Sequence, residues 1–164
     1  MSIFELFYKA LMKENEQEAA ARYISRHLAR VALYELKGID ALHPDVKPLA
    51  LELINQASQV SINIYLTETF RPASIQQKYY NQGRKSPGSI VTNAQPLQSY
   101  HQYGLAFDIA FKGSISYPND NALWQKVGEI GEKTGLIWGG RFNDKPHFEY
   151  YRGYTWKDLI KHYE

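Results

Sequence analysis

The 164-residue chain contains no cysteine, which removes disulfides, thiolate nucleophiles and cysteine-ligated metal sites together. It also leaves the chain indifferent to the redox state of its surroundings. No uninterrupted run of about 18 apolar residues occurs, so no membrane-spanning helix is expected. A formal net charge of +2 lacks the concentrated basic patch of a nucleic-acid binder, so no nucleic-acid partner is expected. At the N-terminus no basic segment precedes the apolar residues, and Glu5 and Lys9 interrupt them. No secretory signal peptide is read there.

What is present is the composition of one globular domain. Hydrophobic residues at 44% and charged residues at 22% suffice for a core at this length. Tyrosine is abundant, at 13 residues. It joins a flat apolar face to a polar tip, which suits a groove wall, although half-buried packing is expected for most of them.

Residues 1–37 read as a helical extension. Ile3, Phe4, Phe7, Tyr8 and Leu11 form one stripe, and Ile24, Leu28, Val31 and Leu36 continue in a second helix that Gly38 stops. These helices are expected to dock on the rest of the chain, residues 38–164, or on a partner protein. A further helix starts near Asp45 with Pro48 in its first turn. Residues 61–70 alternate Ile62, Ile64 and Leu66 against Asn63, Tyr65 and Thr67, a half-buried strand. Arg71 shares the parity of Thr67 and Thr69 and is expected on the polar face. A short helix follows from Ala73, then a long loop over 83–98, a length at which loops are often functional. Asn121 to Thr134 reads as a helix, Leu136–Trp138 and His147–Tyr151 as strands, and Thr155 as the cap of a last helix. The order predicts an α+β domain.

The strand 105–111 turns Leu105, Phe107, Ile109 and Phe111 to one face and Ala106, Asp108 and Ala110 to the other. A carboxylate between two alanines leaves room above it for a metal and a substrate. His101 lies seven residues before Asp108, and Gly104 between them permits the turn that folds it back over that face. His101, Asp108 and His147 are ligands of the kinds zinc prefers, and catalytic zinc typically keeps three protein ligands and an open fourth position. Asp144, three residues before His147, is the candidate to take a proton from a water there. Pro146 excludes a helix-borne pair of histidines, so the site is one of loop and sheet. His27, His43 and His162 have no such context and are read as structural or surface residues. Trp138 is read as pocket wall or core.

The string Ser99-x-His101-x-x-Gly104-x-Ala106-x-Asp108 with a later Asp144-x-x-His147 resembles the VanY-like D-alanyl-D-alanine carboxypeptidase and L-alanyl-D-glutamate endopeptidase family. The likeness extends through HPDV (43–46), TFRPASIQQ (69–77), PGSIVTNAQPLQSYH (87–101) and GLIWGGRFNDKPHFE (135–149), roughly residues 40–151. The loop leading into SYH is similar to the endopeptidase branch, which includes endolysins. The resemblance implies a small antiparallel sheet flanked by helices in the zinc DD-peptidase fold. It implies one zinc ion per chain on His101, Asp108 and His147, with Asp144 as general base and Arg71 binding or polarising the substrate. Gln76 and Ser99 are candidate substrate contacts, with capping or packing as the alternative. Glu149 is a rival base or a partner orienting a ligand.

The implied reaction is hydrolysis of the peptidoglycan stem peptide at the cell wall, between L-alanine and D-glutamate. The alternatives are a D,D- or L,D-carboxypeptidase trimming terminal D-alanine, and a non-catalytic zinc-stabilised wall-binding module, which the presence of Asp144 disfavours. Without a signal peptide, release from the cytoplasm or non-classical export is expected. No wall-binding domain is read after His147, and the family resemblance supplies no role for the N-terminal extension.

Overall fold

The computed structural model describes residues 38–113, 120–151 and 153–161. The expected extension over 1–37, and with it His27, lies outside the described residues, as does His162. After a 3-10 turn at Gly38–Ala41, helix α1 spans Lys47–Gln59, with proline in its first turn where no intrahelical donor is needed. Its buried residues Ala50, Leu53 and Ala57 recur every three or four positions and form one stripe. Strand β1 is Ile64–Glu68, helix α2 Ala73–Asn81 and strand β2 Ala106–Phe111. Helix α3 covers Asn121–Lys133, β3 Ile137–Trp138, β4 His147–Glu149 and α4 Trp156–Ile160.

The four strands form one antiparallel sheet in the order β1-β2-β4-β3. On its core face Phe107 stacks against Phe148, and Phe111 meets the edge of Trp124 from α3. Helix α3 comes this close because of two glycines. A Cβ on Gly128 would enter the Trp138 ring, and one on Gly131 would enter Phe148. Asp120 caps the helix by accepting from the Leu123 amide at 3.0 Å. Thr155 and Asp158 form the capping box of α4. Trp138 belongs to the core, and its Nε1 donates to the Lys145 carbonyl at 2.8 Å.

The end of β1 departs from simple alternation. Ile64, Tyr65 and Leu66 oppose Phe111, Ala110 and Ile109 in turn, but Asp108 is opposed by Glu68 rather than Thr67. The extra residue is a β-bulge, which breaks the two-residue alternation. Arg71, three residues beyond the bulge, is largely buried, with 9% of its surface accessible, and it borders the same pocket as Asp108. Glu68 meets it there as an ion-pair partner.

Candidate metal centre and substrate pocket

The polar face of β2 and β4 carries Asp108 directly opposite His147 in the strand register. Opposed residues of an antiparallel pair point to the same side. His101 arrives from outside the sheet, on a 3-10 turn spanning Tyr100–Tyr103. Gly104 ends that turn at φ 66°, a left-handed conformation that glycine adopts without strain. This is the fold-back that the glycine predicts. The turn is stitched to the segment after β1, since the Arg71 amide donates to the His101 carbonyl at 3.1 Å.

Three atoms then converge. His101 Nε2 lies 3.3 Å from His147 Nδ1 and 3.5 Å from an Asp108 oxygen, and His147 Nδ1 lies 3.2 Å from that same oxygen. A tetrahedral ion with bonds of about 2.0–2.1 Å separates its ligand atoms by roughly 3.3–3.4 Å. The triangle matches that spacing.

The outer nitrogens fix the tautomers. His101 Nδ1 donates to the Thr69 carbonyl at 2.7 Å, and His147 Nε2 donates to Glu149 at 3.0 Å. Each neutral ring therefore aims a lone pair at the Asp108 carboxylate and at the other ring. Three electron-rich atoms packed this closely require a positive charge among them. Without a cation that charge is a proton on His147. Burial alone would lower its pKa, but hydrogen bonds to Asp108 and Glu149 outweigh burial and raise it to about 9. Burial likewise raises the Asp108 carboxyl, yet bonds from His101 and His147 win and hold it well below the carboxylate range. The donor set, spacing and tautomers fit a divalent ion.

Around this cluster lies a pocket of about 490 Å³, bordered by Arg71, Tyr79, Ser99, Asp144 and Glu149 among others. Asp144 is open to solvent at its margin. Partial loss of hydration against the pocket raises its pKa, while nearby His147 opposes the shift. Its amide donates to the Gly139 carbonyl at 2.9 Å, and its own carbonyl accepts from the His147 amide at 3.2 Å. One turn therefore positions the candidate base and a candidate ligand together.

Arg71 donates through Nε to Glu68 at 2.7 Å, through Nη2 to the other Glu68 oxygen, and through Nη1 to Gln76 Oε1 at 2.8 Å. Gln76 is fully buried, and its amide nitrogen continues to the Ala94 carbonyl at 2.7 Å. It supports Arg71 and the loop from behind, which is the packing alternative. Ser99 precedes the His101 turn without a capping bond from its side chain, and it borders the pocket.

Residues 83–98 form the expected loop and supply Val91, Thr92, Ala94 and Gln98 to the pocket wall. Arg84 braces it, donating to the Tyr80 and Thr92 carbonyls at 2.8 and 2.9 Å and to Asn93 at 2.8 Å. At its far end Leu97, at φ 69°, is held by Gln102 Oε1 on its amide and by the Tyr103 hydroxyl on its carbonyl. His43 is structural: it is buried, and its Nδ1 accepts from the Asp45 amide at 3.1 Å. Sequence reading passed over Glu68 and Arg84. The signal for Glu68 was a carboxylate at a position that shares the parity of Ile64 and Leu66; nothing singled out Arg84.

Comparison with known proteins bears on the same residues. A family described as D-alanyl-D-alanine carboxypeptidase matches residues 92–150, which include all three candidate ligands and Asp144. The chain is 40% identical over 131 residues to the peptidoglycan L-alanyl-D-glutamate endopeptidase CwlK of Bacillus subtilis (strain 168), covering 72% of this chain and 78% of that protein. Among solved structures, the L-Ala D-Glu endopeptidase ChiX of Serratia marcescens aligns with a TM-score of 0.51 at 21% identity, over 74% of this chain and 86% of that one. The vancomycin-resistance D,D-pentapeptidase VanY, in complex with Zn(II), aligns with a TM-score of 0.52 at 20% identity, over 74% and 78% of the respective chains. At these identities the two structures attest the fold.

Proposed function

Because the chain belongs to the VanY-like family of peptidoglycan-cleaving zinc peptidases, we propose that it hydrolyses the stem peptide at the cell wall between L-alanine and D-glutamate, using His101, Asp108 and His147 to hold one zinc ion. The observation that carries the metal assignment is the triangle of ligand atoms, 3.2–3.5 Å on each side, with both outer ring nitrogens already donating. The choice of bond rests on the 40% identity to an L-alanyl-D-glutamate endopeptidase.

Zinc at this position supplies Lewis acidity toward a carbonyl and a water. The remaining work falls to the chain's own side chains. Asp144 accepts the proton of the attacking water on its carboxylate and returns it to the leaving amine nitrogen. Its elevated pKa suits it to both halves of that exchange. Arg71 offers one of its free N–H groups to the substrate oxygen that gains charge. Thr69 and Glu149 hold the imidazoles in the orientation that binding requires. Glu149 is thereby engaged with His147, which favours an orienting role over that of a base.

The experiment is digestion of purified peptidoglycan followed by mass spectrometry of the fragments, with the wild-type protein and Asp144→Asn. The expected products begin at D-glutamate, and the variant keeps its zinc while losing about 10²–10⁴-fold in turnover. Release of terminal D-alanine alone would replace the endopeptidase assignment with a carboxypeptidase. Near-normal rates in the variant would remove Asp144 as the base.

A further inference from the structure

On the reading that this pocket takes a stem peptide, we propose that Glu68 is a specificity-determining positioning residue: by pairing with Arg71 it lets that side chain donate hydrogen bonds without presenting net positive charge to the substrate. The bulge in β1 places Glu68 opposite Asp108 and so on the pocket side of the sheet. There it grips the guanidinium in a two-point fork through Nε and Nη2. Gln76 takes a third N–H, from Nη1, and the Tyr79 ring lies 5.0 Å from the guanidinium carbon. A guanidinium has five N–H groups, so one on Nη1 and one on Nη2 remain. Nη2 is 3.9 Å from Asp108, which places it beside the metal cluster.

Among the described residues that border the pocket Arg71 is the sole lysine or arginine, whereas Asp108, Asp144 and Glu149 all face it. Neutralising Arg71 therefore removes the one permanent side-chain cation that the described residues bring to the pocket. D-glutamate has two carboxyls. One continues the stem, and the other remains beside the scissile linkage, as a carboxylate or as an amide. An unpaired arginine would select the carboxylate through a charge-assisted bond. An arginine already matched by Glu68 accepts either form.

The test uses zinc-loaded protein with paired N-acetyl-L-alanyl-D-glutamyl-L-lysine substrates, linked through the D-glutamate side chain, whose α-carboxyl is either free or amidated. Steady-state rates are measured on these substrates, and calorimetry follows binding of the two corresponding products. Wild-type protein is expected to treat acid and amide alike within about threefold. Glu68→Gln should shift the preference toward the acid by about tenfold, chiefly in KM and in product affinity, as a newly unmasked charge requires. Glu68→Asp, which keeps the charge, should restore the wild-type ratio. A tenfold acid preference already present in the wild type, or an unchanged ratio in a folded and binding-competent Glu68→Gln, overturns the inference. Protein that binds both products but cleaves neither substrate overturns the proposed reaction and leaves the charge argument standing. Protein that binds neither overturns both.

Discussion

Gly139→Ala is the substitution by which the backbone beneath the site can be tested most directly. Gly139 begins the 3-10 turn that spans Gly139–Phe142 and is followed by Asn143 at φ 67°. A Cβ added there would lie 2.7 Å from the His147 Cβ and closer still to the Asp144 carbonyl oxygen. Ordinary contact begins near 3.4 Å, so His147 would have to withdraw by about 0.7 Å. Metal sites tolerate deviations of only about 0.2 Å in their bonds. The turn cannot yield by rotating a side chain, since one of the obstructing atoms is backbone. The expected outcome is weaker zinc binding and a fall in turnover on the order of 10²-fold, the scale of an ångström-sized misplacement.

Overpacking of this kind destabilises by about 1–3 kcal/mol. In a chain of this size that lowers the thermal midpoint by roughly 2–12 °C. Gly131→Ala is the control: its Cβ would meet the Phe148 ring, a core side chain on the opposite face of β4 from His147. It should destabilise comparably while holding zinc more tightly than Gly139→Ala. The assays are competition with a chromophoric chelator, thermal unfolding and cleavage of soluble stem peptide. A Gly139→Ala protein with wild-type zinc affinity, midpoint and turnover would refute the reasoning.

Arg84→Ala removes the brace between α2 and the 83–98 loop, and is expected to raise KM by about two- to tenfold with zinc content unchanged, because the loop must then be ordered on binding; an unchanged KM would show that the wall holds without it. Asp158 at the α4 capping box has its pKa lowered by the bonds from the Thr155 side chain and backbone. Its contribution to stability is therefore present above the unfolded value of about 3.9 and is lost as pH falls through the lower folded value. The midpoint difference between wild type and Asp158→Asn should accordingly be full near pH 6 and vanish in stronger acid, which thermal melts across that range will check.

Much of the candidate site could be read from local sequence because its parts are set by short-range rules. The alternation in β2 fixed which way Asp108 points. Gly104 announced the turn that returns His101, and Pro146 excluded a helical arrangement. The position of Glu68 was hidden for a physical reason. Counting alternate residues presupposes an unbroken ladder, and the bulge between Leu66 and Glu68 inserts a residue that no local pattern announces. The support of the 83–98 loop was hidden for another reason. Its bonds reach from Gln76 to Ala94 and from Arg84 to Thr92 and Asn93, and they depend on how α2 lies beside the loop.

The candidate metal ligands stand on strands and a tight turn, whereas one wall of the pocket is a stretch of mostly irregular chain held by a handful of side-chain bonds. Irregular segments tolerate insertion and exchange far better than paired strands do. The two parts can therefore diverge at different rates. Descendants of such a chain can lengthen, shorten or recolour that wall and acquire a new diet while the candidate metal centre beneath stays as it was.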